Sequence, residues 1–392
     1  MRRHVRIALT AVVTAGMLLA AAPGAGQAAT GYGRDTWAQD AFPVGNARPM
    51  DAARVDGDTT WAVGSRKFGE GRQSYSRPVI FSHDDDSSEW AELPVPDGLS
   101  SVRSVTAGPA GTTWLAGSRP PEGGGIPTAW HDAGGWHVRD APVPDSSLAA
   151  GFNALAAVAV DEVWAVGWRQ PADFLTFHGL IERWDGTNWH QVEPPVIDSD
   201  YWTLSDVVAT GRDDIWATGA VGTPEGRPRP LLLHYDGRAW TRVQAPALDG
   251  RYGELAGLAA AGPNDVWAVG TEEIGAPAKD HGLVAHFDGH SWTRVNAGAG
   301  PGRWQAITAG PAGVAAVGTA YADGLYRPVG VQRTRGGGWK PLYLPAGDGV
   351  QGRAPVSVVS TGRGLTVVGY EPQGESESGQ PLPPTPFALT RR

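Results

Sequence analysis

Residues 161–168 read "DEVWAVGW", and close copies stand at 58–64 ("DTTWAVG"), 213–219 ("DDIWATG") and 264–270 ("NDVWAVG"). Aligned on this string, equivalent positions hold Trp61, Trp114, Trp164, Trp216, Trp267, Ala315 and Thr366, about 51 residues apart. Self-similarity at such a period marks a repeat architecture in which each unit is one supersecondary element. Seven units account for nearly all of the sequence after residue 30.

A second tryptophan series runs out of phase with the first: Trp90, Trp136, Trp189, Trp240, Trp292 and Trp339. Each follows a short Asp- or Gly-rich turn such as "WDGTNW", "YDGRAW" or "FDGHSW". Asp-Gly between apolar runs is a strong hairpin signal, so every unit holds at least two hairpins. Within 152–192, the runs "ALAAVAV", "VWAVGW", "GLIERWD" and "NWHQVE" read as four short strands, here called a to d. Strands a and b are apolar on both pleat faces, as a sheet held between two neighbours must be. No 3.6-residue periodicity competes with this reading. The spacing therefore predicts an all-β, seven-bladed β-propeller with four-stranded antiparallel blades.

The last unit supplies only three strands, "PVSVVS", "LTVVG" and "FALTRR". The segment "DTWAQDAFP" (35–43) completes it, with Trp37 in the place that Trp189 holds in its own unit. Sewing one blade from both ends of the domain removes free sheet edges.

Residues 1–29 read as a signal peptide: Arg2, Arg3 and Arg6 precede an apolar stretch that ends in small residues. The Arg2-Arg3 pair leaves ordinary and twin-arginine export both open. Residues 30–392 are then a single propeller domain, secreted, extracellular and expected to be a monomer. The formal charge is −9, and removing the three arginines takes it to −12. An acidic protein is a poor partner for nucleic acid or anionic membrane. No later segment is apolar enough to insert into a bilayer. With no cysteine, disulfides, thiol catalysis and thiolate zinc sites are all excluded.

"DVWAVG" followed by "HFDGHSW" resembles the tryptophan-rich repeats of secreted bacterial propellers, and more distantly the Kelch and photosystem assembly-factor propellers. The resemblance implies fold and is nearly silent on function, since one propeller fold hosts enzymes, lectins and adaptors. "WDGTNW" is similar to the sialidase Asp-box, but Asp185 and Trp189 stand one residue too close. "TAGPAGTTW" (106–114) is similar to streptogramin-lyase repeats, whose period is shorter. Neither transfers a catalytic residue.

Strand order places the short a–b and c–d turns on one rim and the long, variable b–c loops and d–a crossovers on the other. Variable loops on a rigid scaffold are where binding function usually sits. Trp202, Tyr252, Trp304, Tyr201 and Trp168 fall at that rim, where aromatic rings suit stacking on a sugar or apolar ligand group. They are the candidate ligand contacts, with blade packing as the alternative. His178, His281, Asp280, Glu254, Asp200 and Arg303 share the rim and form the acid–base set that a hydrolase or lyase would need. His234 and His286 repeat in adjacent units, which favours a packing role. "HDDDSSEW" (83–90) lacks the alternation and glycine of a calcium loop and reads as a solvated turn. No metal or cofactor site is expected.

The sequence thus predicts a propeller whose long-loop rim binds an extracellular carbohydrate or polypeptide surface. An extracellular hydrolase or lyase acting at the channel mouth and a cell-envelope assembly scaffold are the alternatives.

Overall fold

The computed structural model describes residues 36–69, 75–120, 123–144, 147–173, 176–223, 226–250, 252–273, 280–298, 302–322, 325–347, 352–362, 364–374 and 382–391. The expected signal peptide lies outside them. The sheets belong to the compact unit Asp35–Arg392. They number seven, each of four antiparallel strands, and among the described residues the only helical element is a 3-10 turn at Pro109–Gly111. The predicted seven-bladed propeller is the observed fold.

The innermost strands a of blades 1 to 7 are Ala47–Arg54, Ser104–Ala107, Ser147–Ala159, Trp202–Gly211, Tyr252–Gly262, Arg303–Gly310 and Ala354–Ser360. Blade 7 takes its fourth strand from Ala38–Asp40, with Ala38 opposite Thr390 and Asp40 opposite Ala388. The two ends of the propeller are therefore joined within one sheet. Ser357 of blade 7 also donates to the Ala52 carbonyl of blade 1 at 3.1 Å, closing the ring.

Seven apolar clusters form, one at each interface between neighbouring blades. Both tryptophan series are in them. The strand-b tryptophan of one blade meets the strand-d tryptophan of the next: Trp61 and Trp136, Trp114 and Trp189, Trp164 and Trp240, Trp216 and Trp292, Trp267 and Trp339, with centroids 5.4 to 6.0 Å apart. At the last two interfaces the motif tryptophan is absent and another group covers the partner ring. Phe42 stacks on Trp90 at 5.0 Å, and the Arg391 guanidinium lies 5.5 Å over Trp37.

The other motif residues have equally local causes. His234 and His286 stack on Trp216 and Trp267 at 4.1 Å and hydrogen-bond Asp214 and Asp265 at 2.7 and 2.8 Å, so they are packing groups. In the "DG" turns, Asp185 accepts N–H bonds from Thr187 and Asn188, and Asp236 and Asp288 do the same with their own followers. These bonds hold the Asp185 carboxyl down at about 2. A β-carbon on Gly237 would strike Asp213, and one on Gly289 would strike Asn264, so the c–d and a–b turns pack together on one rim as expected. The run 83–90 is only partly solvated: His83 and Asp85 are buried, and Arg54 donates to both Asp85 oxygens.

The motif glycine stands in all seven copies. A β-carbon on Gly64, Gly167, Gly219, Gly270 or Gly318 would fall about 2 Å from the strand-a carbonyl of Arg48, Gly151, Thr203, Glu254 or Arg303 respectively. In each of these blades strand a carries a β-bulge at that level, which pushes the carbonyl toward strand b.

Candidate functional site

The bulges lie at the level of a large cavity. The central channel, about 860 Å³, is lined by the innermost strands of all seven blades. Each bulge turns one extra residue toward it. Asn153, Ser205 and Gln305 are the polar bulge residues and Met50, Ala256 and Val356 the apolar ones; in blade 2, where the strand pairing carries no bulge, Arg103 just before strand a lines the channel beside them. This ring lies near the beginnings of the innermost strands, on the side of the long b–c loops and crossovers.

One residue further along, Asp51 and Asp206 cross from blade to blade. The Asp51 carboxyl accepts from the Val105 N–H at 3.0 Å and the Ser104 hydroxyl at 3.1 Å in blade 2, and from its own neighbour Ala52. Asp206 accepts from Leu258 N–H in blade 5 at 2.7 Å and from Val207. Asn153 donates to the Leu204 carbonyl of blade 4 at 2.7 Å. These bonds occupy groups on the free edges of the innermost strands, which point to the channel. Burial pushes Asp51 up to about 6 and Asp206 up to about 7, against the opposing hydrogen bonds.

Arginines on or beside the innermost strands divide into two sets. Arg54 pairs with Asp85, Arg303 with Asp280 at 2.8 Å, and Arg353 with Glu371 at 2.6 Å. Arg48 and Arg103 have no carboxylate partner among the described residues. Arg48 donates to the Tyr370 hydroxyl at 3.3 Å and lies 4.8 Å over its ring. Arg103 Nε is buried with no hydrogen bond, and burial followed by the charge of Arg48 lowers its pKa.

The rim aromatics behave differently from expectation. Trp202 and Trp304 are buried, at 5% and 2% exposure, and present no ring face to solvent for stacking. Each indole fills the space above a glycine in strand c of the preceding blade, Gly179 and Gly282, where a β-carbon would come within 2.0 Å of the ring. Covering a large apolar ring is favourable and accounts for this placement. Tyr252 is half-buried beneath the Arg227 guanidinium, which also pairs with Glu273 at 2.8 Å. Trp168 and Tyr201 do come together, through Phe177: ring centroids are 5.8 and 5.4 Å apart, and Tyr201 is half exposed. Backbone bonds from Phe177 N–H to the Asp200 carbonyl and from Trp202 N–H to the Phe177 carbonyl fix this cluster between blades 3 and 4.

The acid–base candidates do not converge on one point. His178 belongs to blade 3, where burial and then Arg169 lower its pKa, whereas His281 is exposed on blade 5. Burial raises Glu254, and the nearby Arg303 is already paired with the buried Asp280. Among the described residues, no group of three His, Asp or Glu side chains is placed to hold a metal ion.

No family model and no curated protein matches the chain. Solved structures match it as a fold. YCF48 bound to a D1 peptide is 11% identical over 93% of this chain and 98% of that one, with a TM-score of 0.35. An acylaminoacyl peptidase in complex with Z-Gly-Gly-Phe-chloromethyl ketone is 9% identical over 88% of this chain, with a TM-score of 0.53. This chain spans only 51% of that peptidase. A Trypanosoma rangeli sialidase in complex with sialic acid is 11% identical over 87% of this chain and 70% of that one, with a TM-score of 0.46. The likeness is one of β-propeller architecture.

Proposed function

We propose that this protein is a secreted ligand-binding propeller that takes part of an extracellular carbohydrate or polypeptide into the channel from the long-loop rim. The observation that carries this reading is the ring of Arg103, Asn153, Ser205 and Gln305 inside a cavity of about 860 Å³. A cavity of that size with a few convergent polar groups is the usual form of a small-ligand site. The cluster Trp168, Phe177 and Tyr201 offers a ring surface on the same rim for the rest of the ligand. Binding rather than hydrolysis fits the separation of His178 from His281 and the commitment of Asp280 to Arg303.

A glycan and peptide binding screen on the protein without residues 1–29 tests this reading when repeated with Ser205→Ala combined with Gln305→Ala. Binding is expected to weaken at least tenfold with melting unchanged. A ligand that binds the double variant as well as the wild type removes the channel as its site.

A further inference from the structure

We infer that the channel mouth is an anion site, where Arg48 and Arg103 grip the carboxylate or phosphate of a small hydroxylated ligand such as a sugar acid or sugar phosphate. The inference rests on the proposed channel site and adds the chemistry of its ligand. The arginines are the first argument. Burying a guanidinium is costly, and Arg54, Arg303 and Arg353 each meet that cost with a carboxylate. Arg103 lines the channel half-buried with no such partner among the described residues, and Arg48, exposed at the mouth and likewise without a carboxylate partner among them, lies close enough to make the Arg103 charge less favourable. Two like charges close together at a cavity mouth are relieved by an anion between them, and the guanidinium fork matches an oxyanion.

Among the described residues, no carboxylate lining the channel pairs with either arginine. Asp51 lies one bulge level deeper, but its carboxyl receives the Val105 and Ala52 N–H groups and the Ser104 hydroxyl. The neutral members of the ring set the rest of the ligand. Ser205 and Gln305 offer donors and acceptors from blades 4 and 6. That pattern suits hydroxyl groups better than an apolar body. The cavity accommodates a ligand of mono- or disaccharide size.

Calorimetric titration of the chain with glucuronate, glucose 6-phosphate, glucose and a short neutral-capped peptide tests the inference. At least one of the two anions is expected to bind at least tenfold more tightly than glucose, and which one binds distinguishes a carboxylate from a phosphate ligand. Arg103→Gln is expected to reduce that affinity at least tenfold. Phenylglyoxal labelling of the wild-type protein gives a readout that does not depend on a variant folding: the anion should protect Arg48 and Arg103. Equal affinity for glucose, no binding of either anion, or unprotected arginines overturns the anion site. Glucose or peptide binding that is lost in the Ser205→Ala and Gln305→Ala double variant would leave the channel reading standing while this inference fails.

Discussion

Trp164 in blade 3 meets Trp240 in blade 4 edge to face, with ring centroids 5.5 Å apart and planes at 78°. The two tryptophan series are thus the two halves of one contact, repeated around the ring. Such pairs contribute about 0.5–1.5 kcal/mol beyond area burial. Trp164→Ala and Trp240→Ala are each expected to cost about 3–5 kcal/mol. In a double-mutant cycle by urea denaturation, the combined loss should fall short of the summed losses by roughly 1 kcal/mol.

A β-carbon at Gly219 would lie 2.0 Å from the Thr203 carbonyl oxygen, and the obstacle is backbone. Gly219→Ala is expected to destabilise by at least about 2–3 kcal/mol. Gly262→Ala, where nothing lies within 4 Å, should stay within about 0.5 kcal/mol of wild type. Equal melting temperatures for the two variants would contradict the bulge as the reason for the motif glycine.

Glu182 is fully buried with neither carboxyl oxygen hydrogen-bonded, at a position that holds Phe81, Leu233 and Leu389 in other blades. Burial pushes it up to about 8 from 4.5. The protonated form is the one the fold tolerates. Stability is therefore retained below about pH 4.5 and lost as pH rises toward 8, by up to about 5 kcal/mol. Glu182→Leu should stabilise the protein more at pH 8 than at pH 5 in thermal melts. A gain independent of pH would mean that the carboxyl is not protonated by burial.

Trp202→Ala is expected to lower stability by about 3–5 kcal/mol because it empties the space over Gly179. Tyr201→Ala, at a half-exposed ring, should change stability by less than about 1 kcal/mol. Chemical denaturation of both variants checks the contrast, and the reverse order would restore Trp202 as a surface residue.

The fold was legible because its signals are local. Asp-Gly turns, alternating apolar runs and a period near 51 residues need no knowledge of neighbouring blades, and Trp37 completed the count for the same reason. The site was less so, since it depends on a register change. Each bulge inserts one residue, and strict alternation along "RWQAI" gives no sign that Gln305 turns to the channel; Arg103 reaches it from just before a strand, where alternation says nothing. The available signal was a charged or amide residue within or just before an otherwise apolar innermost strand: Asp51, Arg103, Asn153, Asp206 and Gln305 all show it. Trp202 and Trp304 were misplaced because their burial depends on glycines in another blade, Gly179 and Gly282.

The most direct test is to locate the bound ligand by diffraction, using crystals of the protein soaked with the tightest binder from the titrations. Ligand density should lie within the channel, with its charged end between Arg48 and Arg103 and its hydroxyl groups toward Ser205 and Gln305. Density confined to the Trp168, Phe177 and Tyr201 surface or to the outer strands, with the channel holding only water, would contradict the account.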